Sequence, residues 1–157
     1  MPSTAPMTFS CPCRAAQFTV QARPLTRFIC HCQICQSVYK APFADVTAFL
    51  GGALSVSTPD KVTFKRLRAP PAVSRGICTE CGAPVVGFLR LAPFFKLGFV
   101  PTRNLAGLSG TPEPKLHIFY HRRVADVPDT LPKVSGYWAS EFAVTGAVIK
   151  SLLQSEA

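Results

Sequence analysis

A chain of 157 residues, 48% apolar and 16% charged, is long enough to bury a hydrophobic core and too apolar to stay disordered. Fifteen prolines and ten glycines favour strands and turns over long helices. The formal charge of +9 is spread thinly: its densest clusters, Lys65, Arg66 and Arg68 and then His121, Arg122 and Arg123, fall short of a polybasic run and read as solvated faces.

The chain opens on a loose, proline-containing tail. Residues 1–10 carry neither a basic region nor an apolar stretch, so no secretory signal is expected and the cytoplasm is the default compartment. Residues 16–21 alternate and predict a half-buried strand, stopped by Pro24. Arg27-Phe28-Ile29 leads into a cysteine cluster, and residues 32–40, free of Gly and Pro, predict a short helix. Gly51-Gly52 marks a turn between strands at 43–50 and 53–57. Residues 61–68 alternate with Val62, Phe64 and Leu67 inward, until Pro70-Pro71 breaks the run. Residues 73–77 and 84–89 read as two arms of a hairpin around the last cysteine pair. Strands follow at 95–100 and 116–120, separated by a long loop rich in Gly and Pro. Residues 139–154 have helical spacing, with Phe142, Val148, Ile149, Leu152 and Leu153 as the apolar set. The most apolar stretch, 85–100, is interrupted by Arg90, Pro93 and Lys96, too short and too charged for a span of about 20 residues. The reading is mainly β, in one domain over 1–157.

The seven cysteines carry the chemistry. Each lies within three residues of another: Cys11 and Cys13; Cys30, Cys32 and Cys35; Cys78 and Cys81. An odd number in a reducing compartment argues against disulfides and for metal. Cys78-Thr79-Glu80-Cys81-Gly82 is a zinc-knuckle turn, in which a glycine at positive φ lets the amides face the sulfurs. It supplies two ligands of the four that a closed tetrahedral site needs, and Cys11-Pro12-Cys13 is its natural complement. Cys30-His31-Cys32-Gln33-Ile34-Cys35 can then grip one face of a second ion, leaving the fourth position to water or a substrate, the pattern of catalytic zinc. Two such sites would lower the charge from +9 to roughly +6, since four thiolates on a divalent ion carry −2 and three carry −1.

Alternatives stand beside this reading. The triplet could be closed by His117 or His121, which point to one side of a 116–120 strand, although strand histidines are more often satisfied surface residues. Metal-free thiols this close could also form a redox pair. His31, between two ligands, faces away from the metal, toward a supporting or substrate-contacting role. Phosphate-binding glycine loops, His-Glu-x-x-His, the nucleophile elbow and the deaminase His-x-Glu are all absent.

In Cys11-Pro12-Cys13, Phe28-Ile29-Cys30-His31-Cys32-Gln33-Ile34-Cys35-Gln36 and Arg75-Gly76-Ile77-Cys78-Thr79-Glu80-Cys81-Gly82 the chain resembles the glutathione-dependent formaldehyde-activating enzymes and centromere protein V. The likeness runs over about 9–132, leaving 137–157 as a C-terminal extension. Arg14 stands where family members usually carry glycine. The resemblance implies an Mss4-like fold of several coiled antiparallel sheets. It also implies structural zinc on Cys11, Cys13, Cys78 and Cys81, catalytic zinc on Cys30, Cys32 and Cys35, and glutathione as the thiol partner. The implied activity is that of a carbon–sulfur lyase of the S-(hydroxymethyl)glutathione synthase type. The other function it implies is a zinc-stabilised module binding nucleic acid or protein, as in centromere protein V.

Overall fold

The computed structural model describes residues 5–70 and 72–155. Its elements in chain order are β1 (Met7–Ser10), β2 (Gln17–Val20), β3 (Thr26–Cys30), α1 (Gln33–Tyr39), β4 (Ala44–Leu50), β5 (Leu54–Val56), β6 (Val62–Lys65), β7 (Ser74–Cys78), β8 (Pro84–Ala92), β9 (Phe95–Pro101), β10 (His117–Ile118) and α2 (Tyr137–Ser155). Among the described residues the ten strands form two sheets, one of three strands ordered β1-β2-β5 and one of seven ordered β10-β3-β4-β9-β8-β7-β6. The mainly β reading holds, with one exception to the antiparallel rule: β10 runs parallel to β3.

The large sheet is buried on both faces, which β4 shows by alternation. Ala44, Val46 and Ala48 pack with Phe28, Cys30, Cys35 and Ile118 on one side. Phe49 points the other way, into a cluster with Phe9, Phe18, Leu54, Val86 and Val100. The small sheet covers this second side. Helix α2 covers the first, where Ala143, Val144 and Ala147 pack beside β3 and β10 and Val148 is buried with Leu25 and Leu97.

Several expectations change. Residues 7–10 form a strand rather than part of a loose tail, because Phe9 is buried beside Phe18 at 6.0 Å between ring centres. The 61–68 strand ends at Lys65. Val62 is inward, but the cluster that covers it stops short of Phe64, which is 41% exposed at the sheet edge and meets Phe88 instead. Leu67 is exposed, and Pro71 lies outside the described residues.

Helix α2 begins two residues earlier than expected and packs through a different stripe. Phe142, Ile149 and Leu153 are exposed, since at 100° per residue they lie roughly 100–140° around the axis from Val148. The face that docks is Val144, Ala147, Val148 and Leu152.

The expected 116–120 strand is cut to His117–Ile118. Phe119 takes φ +53°, a conformation rare for a bulky residue, and the chain turns into a short 3-10 segment at Tyr120–Arg122. The Phe119 amide is held by the hydroxyl of Ser140 at 2.8 Å, so α2 stabilises the turn that ends the strand.

Candidate metal centre

Cys11 and Cys13 lie on the β1–β2 loop, closed by the Cys11 amide donating to Ala16 O and the Arg14 amide to Cys11 O, both at 3.0 Å. Arg14 sits at φ +67°, the left-handed region that glycine enters without steric cost. Cys78 ends β7, and Gly82 has φ +71°, as the knuckle motif requires. The Glu80 amide points at Cys78 Sγ, 3.4 Å away, while that of Gly82 donates to Cys78 O. Burial raises the Cys78 thiol, but the Cys81 and Glu80 amides outweigh it and bring its pKa down to about 7.

The small sheet's packing against the large one brings the two cysteine pairs together. The Sγ atoms of Cys11, Cys13, Cys78 and Cys81 all lie within 4.8 Å of one another, with Cys11 to Cys13 at 3.5 Å and Cys13 to Cys78 at 3.7 Å. Tetrahedral zinc with bonds of about 2.3 Å needs sulfurs roughly 3.8 Å apart, so these four thiols fit such an ion with little rearrangement.

The second group forms where β3 runs into α1. Cys30 ends the strand, Cys32 is the helix N-cap and its sulfur accepts from the Cys35 amide at 3.3 Å. These three sulfurs also lie within 4.8 Å of one another. Hydrogen bonds from Cys30 and Cys35 draw the Cys32 thiol down to about 2, and the same bonds, with burial, push Cys30 well above its ordinary value. Protons are thus crowded among three sulfurs, an arrangement that a cation relieves by taking all three as thiolates.

Arg75 on β7 reaches this group, with Nη2 3.7 Å from Cys35 Sγ. Burial works against its charge, yet the Cys35 and Cys32 thiolates outweigh that and raise its pKa. It is placed to offset the net negative charge of three thiolates and one divalent ion. Arg75 belongs to the quoted motif, but only the fold gives it a role. Gln36 likewise becomes legible: its amide donates to His31 O at 2.7 Å and Arg122 O at 2.8 Å, tying α1 to the segment after β10.

Neither His117 nor His121 joins the cysteines. His121 is exposed and accepts from the Gly136 amide at 2.8 Å. His117, expected at the surface, is 1% exposed. Its Nδ1 lies 2.8 Å from Nε2 of His31, also 1% exposed, and its Nε2 lies 2.8 Å from Oδ2 of Asp129. Asp129 is held down to about 2 by Lys133 and then His117, so it can only accept. Neutral His117 must therefore donate from Nε2 and accept at Nδ1 from the His31 Nε2–H. His31 does turn away from the sulfurs, into a buried relay that fixes the Cys30–Cys32 turn from behind. Burial first, and then the unfavourable electrostatics of a second imidazole beside it, lower the His31 pKa to about 4.

The triplet opens onto a cavity of about 500 Å³. Cys30, Cys32, Cys35 and Arg75 line one part, β8 and β9 another, and α2 a third. Glu141 on α2 is the one carboxylate among the described lining residues. Burial raises its pKa against the opposing pull of Arg68, 4.0 Å away. Sequence spacing held no signal for Glu141, because it reaches the cysteines only through the docking of α2.

A profile of the family described as glutathione-dependent formaldehyde-activating enzyme matches residues 6–122. No curated protein sequence gives a match. Among solved structures, a crystal structure of a Rhodobacter sphaeroides protein is similar in fold, with a TM-score of 0.52 at 20% identity. The alignment covers 65% of this chain and 90% of that one. Helix α2 lies beyond the segment matched by the family profile.

Proposed function

Since the chain belongs to the glutathione-dependent formaldehyde-activating enzyme family, we propose that it is a zinc-dependent carbon–sulfur lyase that joins glutathione to formaldehyde as S-hydroxymethylglutathione. In this reading Cys11, Cys13, Cys78 and Cys81 hold a structural ion, and Cys30, Cys32 and Cys35 hold a catalytic one. The observation that carries it is the triplet: three converging sulfurs, with no fourth protein ligand among the described residues, on the wall of a cavity large enough for a small molecule.

Zinc bound there would supply a position at which an incoming thiol gives up its proton near neutral pH. The chain's own residues do the rest. Arg75 balances the charge of the thiolates. The glutathione carboxylates are drawn to the cationic rim at Arg122, which is exposed and lines the cavity. The apolar wall excludes water and holds the thiol sulfur against the carbonyl carbon, so that a bimolecular encounter becomes a positioned one. Glu141, with its raised pKa, accepts the thiol proton and returns it to the carbonyl oxygen as the carbon–sulfur bond forms.

The test is calorimetric titration of glutathione into zinc-replete and zinc-depleted protein, each in two buffers of different ionisation enthalpy. Zinc-dependent affinity with proton release is expected. Equal affinity in the two forms would end the metal–thiol reading.

A further inference from the structure

The cavity beside the triplet is far larger and more apolar than a one-carbon electrophile requires. Formaldehyde is little bigger than a water molecule, whose share of liquid volume is about 30 Å³. The cavity holds about 500 Å³, within the range of about 300–1,000 Å³ that serves drug-sized ligands. Away from the sulfurs most of its wall is apolar, with Phe28, Leu89, Phe95 and Phe99 from the sheet and Val144 and Ile149 from α2. Arg122 at the rim and Arg75 beside the sulfurs can receive the carboxylates of glutathione, so the tripeptide does not account for the apolar part of the interior.

The helix that completes this cavity is the part of the chain outside the family match. Val144, Val148 and Ile149 all line it, and all lie beyond residue 122, where the family profile ends. The apolar space is therefore completed by a helix that lies outside the matched segment.

We infer that the preferred electrophile is an aldehyde carrying an apolar chain or ring, with the carbonyl at the cysteine triplet and the hydrocarbon between α2 and the β8–β9 hairpin. This inference rests on the thiol–zinc reading above and names its substrate class. The step is a simple addition. The thiol sulfur forms a bond to the carbonyl carbon, the C=O π pair moves to oxygen, and the proton lost by the thiol ends on that oxygen as the hydroxyl of a hemithioacetal. No oxidant or reductant is consumed.

The experiment uses zinc-replete full-length protein and two series. S-methyl-, S-butyl-, S-hexyl- and S-octylglutathione, which mimic the adduct without a free thiol, are titrated calorimetrically. Formaldehyde, butanal and hexanal are then compared as partners of glutathione by kcat/KM. Affinity should rise about fourfold for each methylene that enters the cavity, with kcat/KM following the same order. Ile149→Asp, at a half-exposed wall position, should flatten the rise. Trp138→Ser, on the same helix but outside the cavity, should leave it intact. A flat or falling series in protein whose glutathione affinity still depends on zinc overturns this inference alone. Loss of that zinc dependence overturns the thiol–zinc reading and this inference with it.

Discussion

His117→Phe removes both hydrogen bonds of a buried imidazole while keeping a ring of similar shape. The Nε2–H of His31, in a side chain 1% exposed, loses its acceptor. A buried donor left unsatisfied costs about 1–3 kcal/mol. The bond to Asp129 is lost as well, but that carboxylate is 38% exposed and keeps Lys133 at 2.8 Å, so its loss adds little. A loss of about 1–3 kcal/mol should lower the melting temperature by roughly 2–12 °C in a chain of this size. Asp129→Asn keeps an acceptor for the His117 Nε2–H and should cost under about 1 kcal/mol. Adding His31→Phe removes the stranded donor, so the double variant should be more stable than the sum of the single losses by at least about 1 kcal/mol. Thermal denaturation of the four proteins at matched zinc content measures this. A His117→Phe variant melting within about 2 °C of the parent, or a double variant showing the plain sum, would refute the buried relay.

The two cysteine groups should respond differently to loss. Cys13 and Cys78 are 65 residues apart in sequence and 3.7 Å apart in space, so an ion there closes a long loop. Its binding energy, about 10–16 kcal/mol for structural zinc, rivals a domain's whole stability of about 5–15. Serine at Cys11, Cys13, Cys78 or Cys81 should give insoluble or partly unfolded protein. Serine at Cys30, Cys32 or Cys35 should leave a soluble chain with one zinc and no activity, because that ion closes almost no loop. Solubility, melting and zinc content across the seven variants decide it, and a folded, inactive Cys78→Ser beside an unfolded Cys32→Ser would reverse the roles. Arg14→Gly should raise the melting temperature by about 1–4 °C, the relief at φ +67° exceeding the flexibility that glycine adds to the unfolded chain. A lower melting temperature would show that the Arg14 side chain makes a stabilising contact.

Short-range chemistry was legible in the sequence. The spacing Cys78-Thr79-Glu80-Cys81-Gly82 dictates a turn, because two sulfurs two residues apart converge only if glycine accepts a positive φ, and Gly82 does so at +71°. Grouping the seven cysteines as four and three followed from their clustering, and the sulfur geometry agrees. Alternation likewise marked the strand around Phe18, whose buried residues Phe18 and Val20 face one layer. Where the chain's periodicity misled, long-range packing was the cause. Phe64 follows the inward pattern but lies at the sheet edge, and Phe142 follows a helical pattern on a flank of α2 turned away from the sheets, where it stacks on Trp138. His117 looked like a surface histidine because its partners, His31 and Asp129, are respectively 86 and 12 residues away. Arg75 meets Cys35 only because the large sheet brings β7 toward the end of β3, and Glu141 and the cavity take their places only once α2 has docked beside β3 and β10. Local spacing sets the directions of neighbouring side chains, but which distant surfaces exclude water together is decided by the packing of the whole chain.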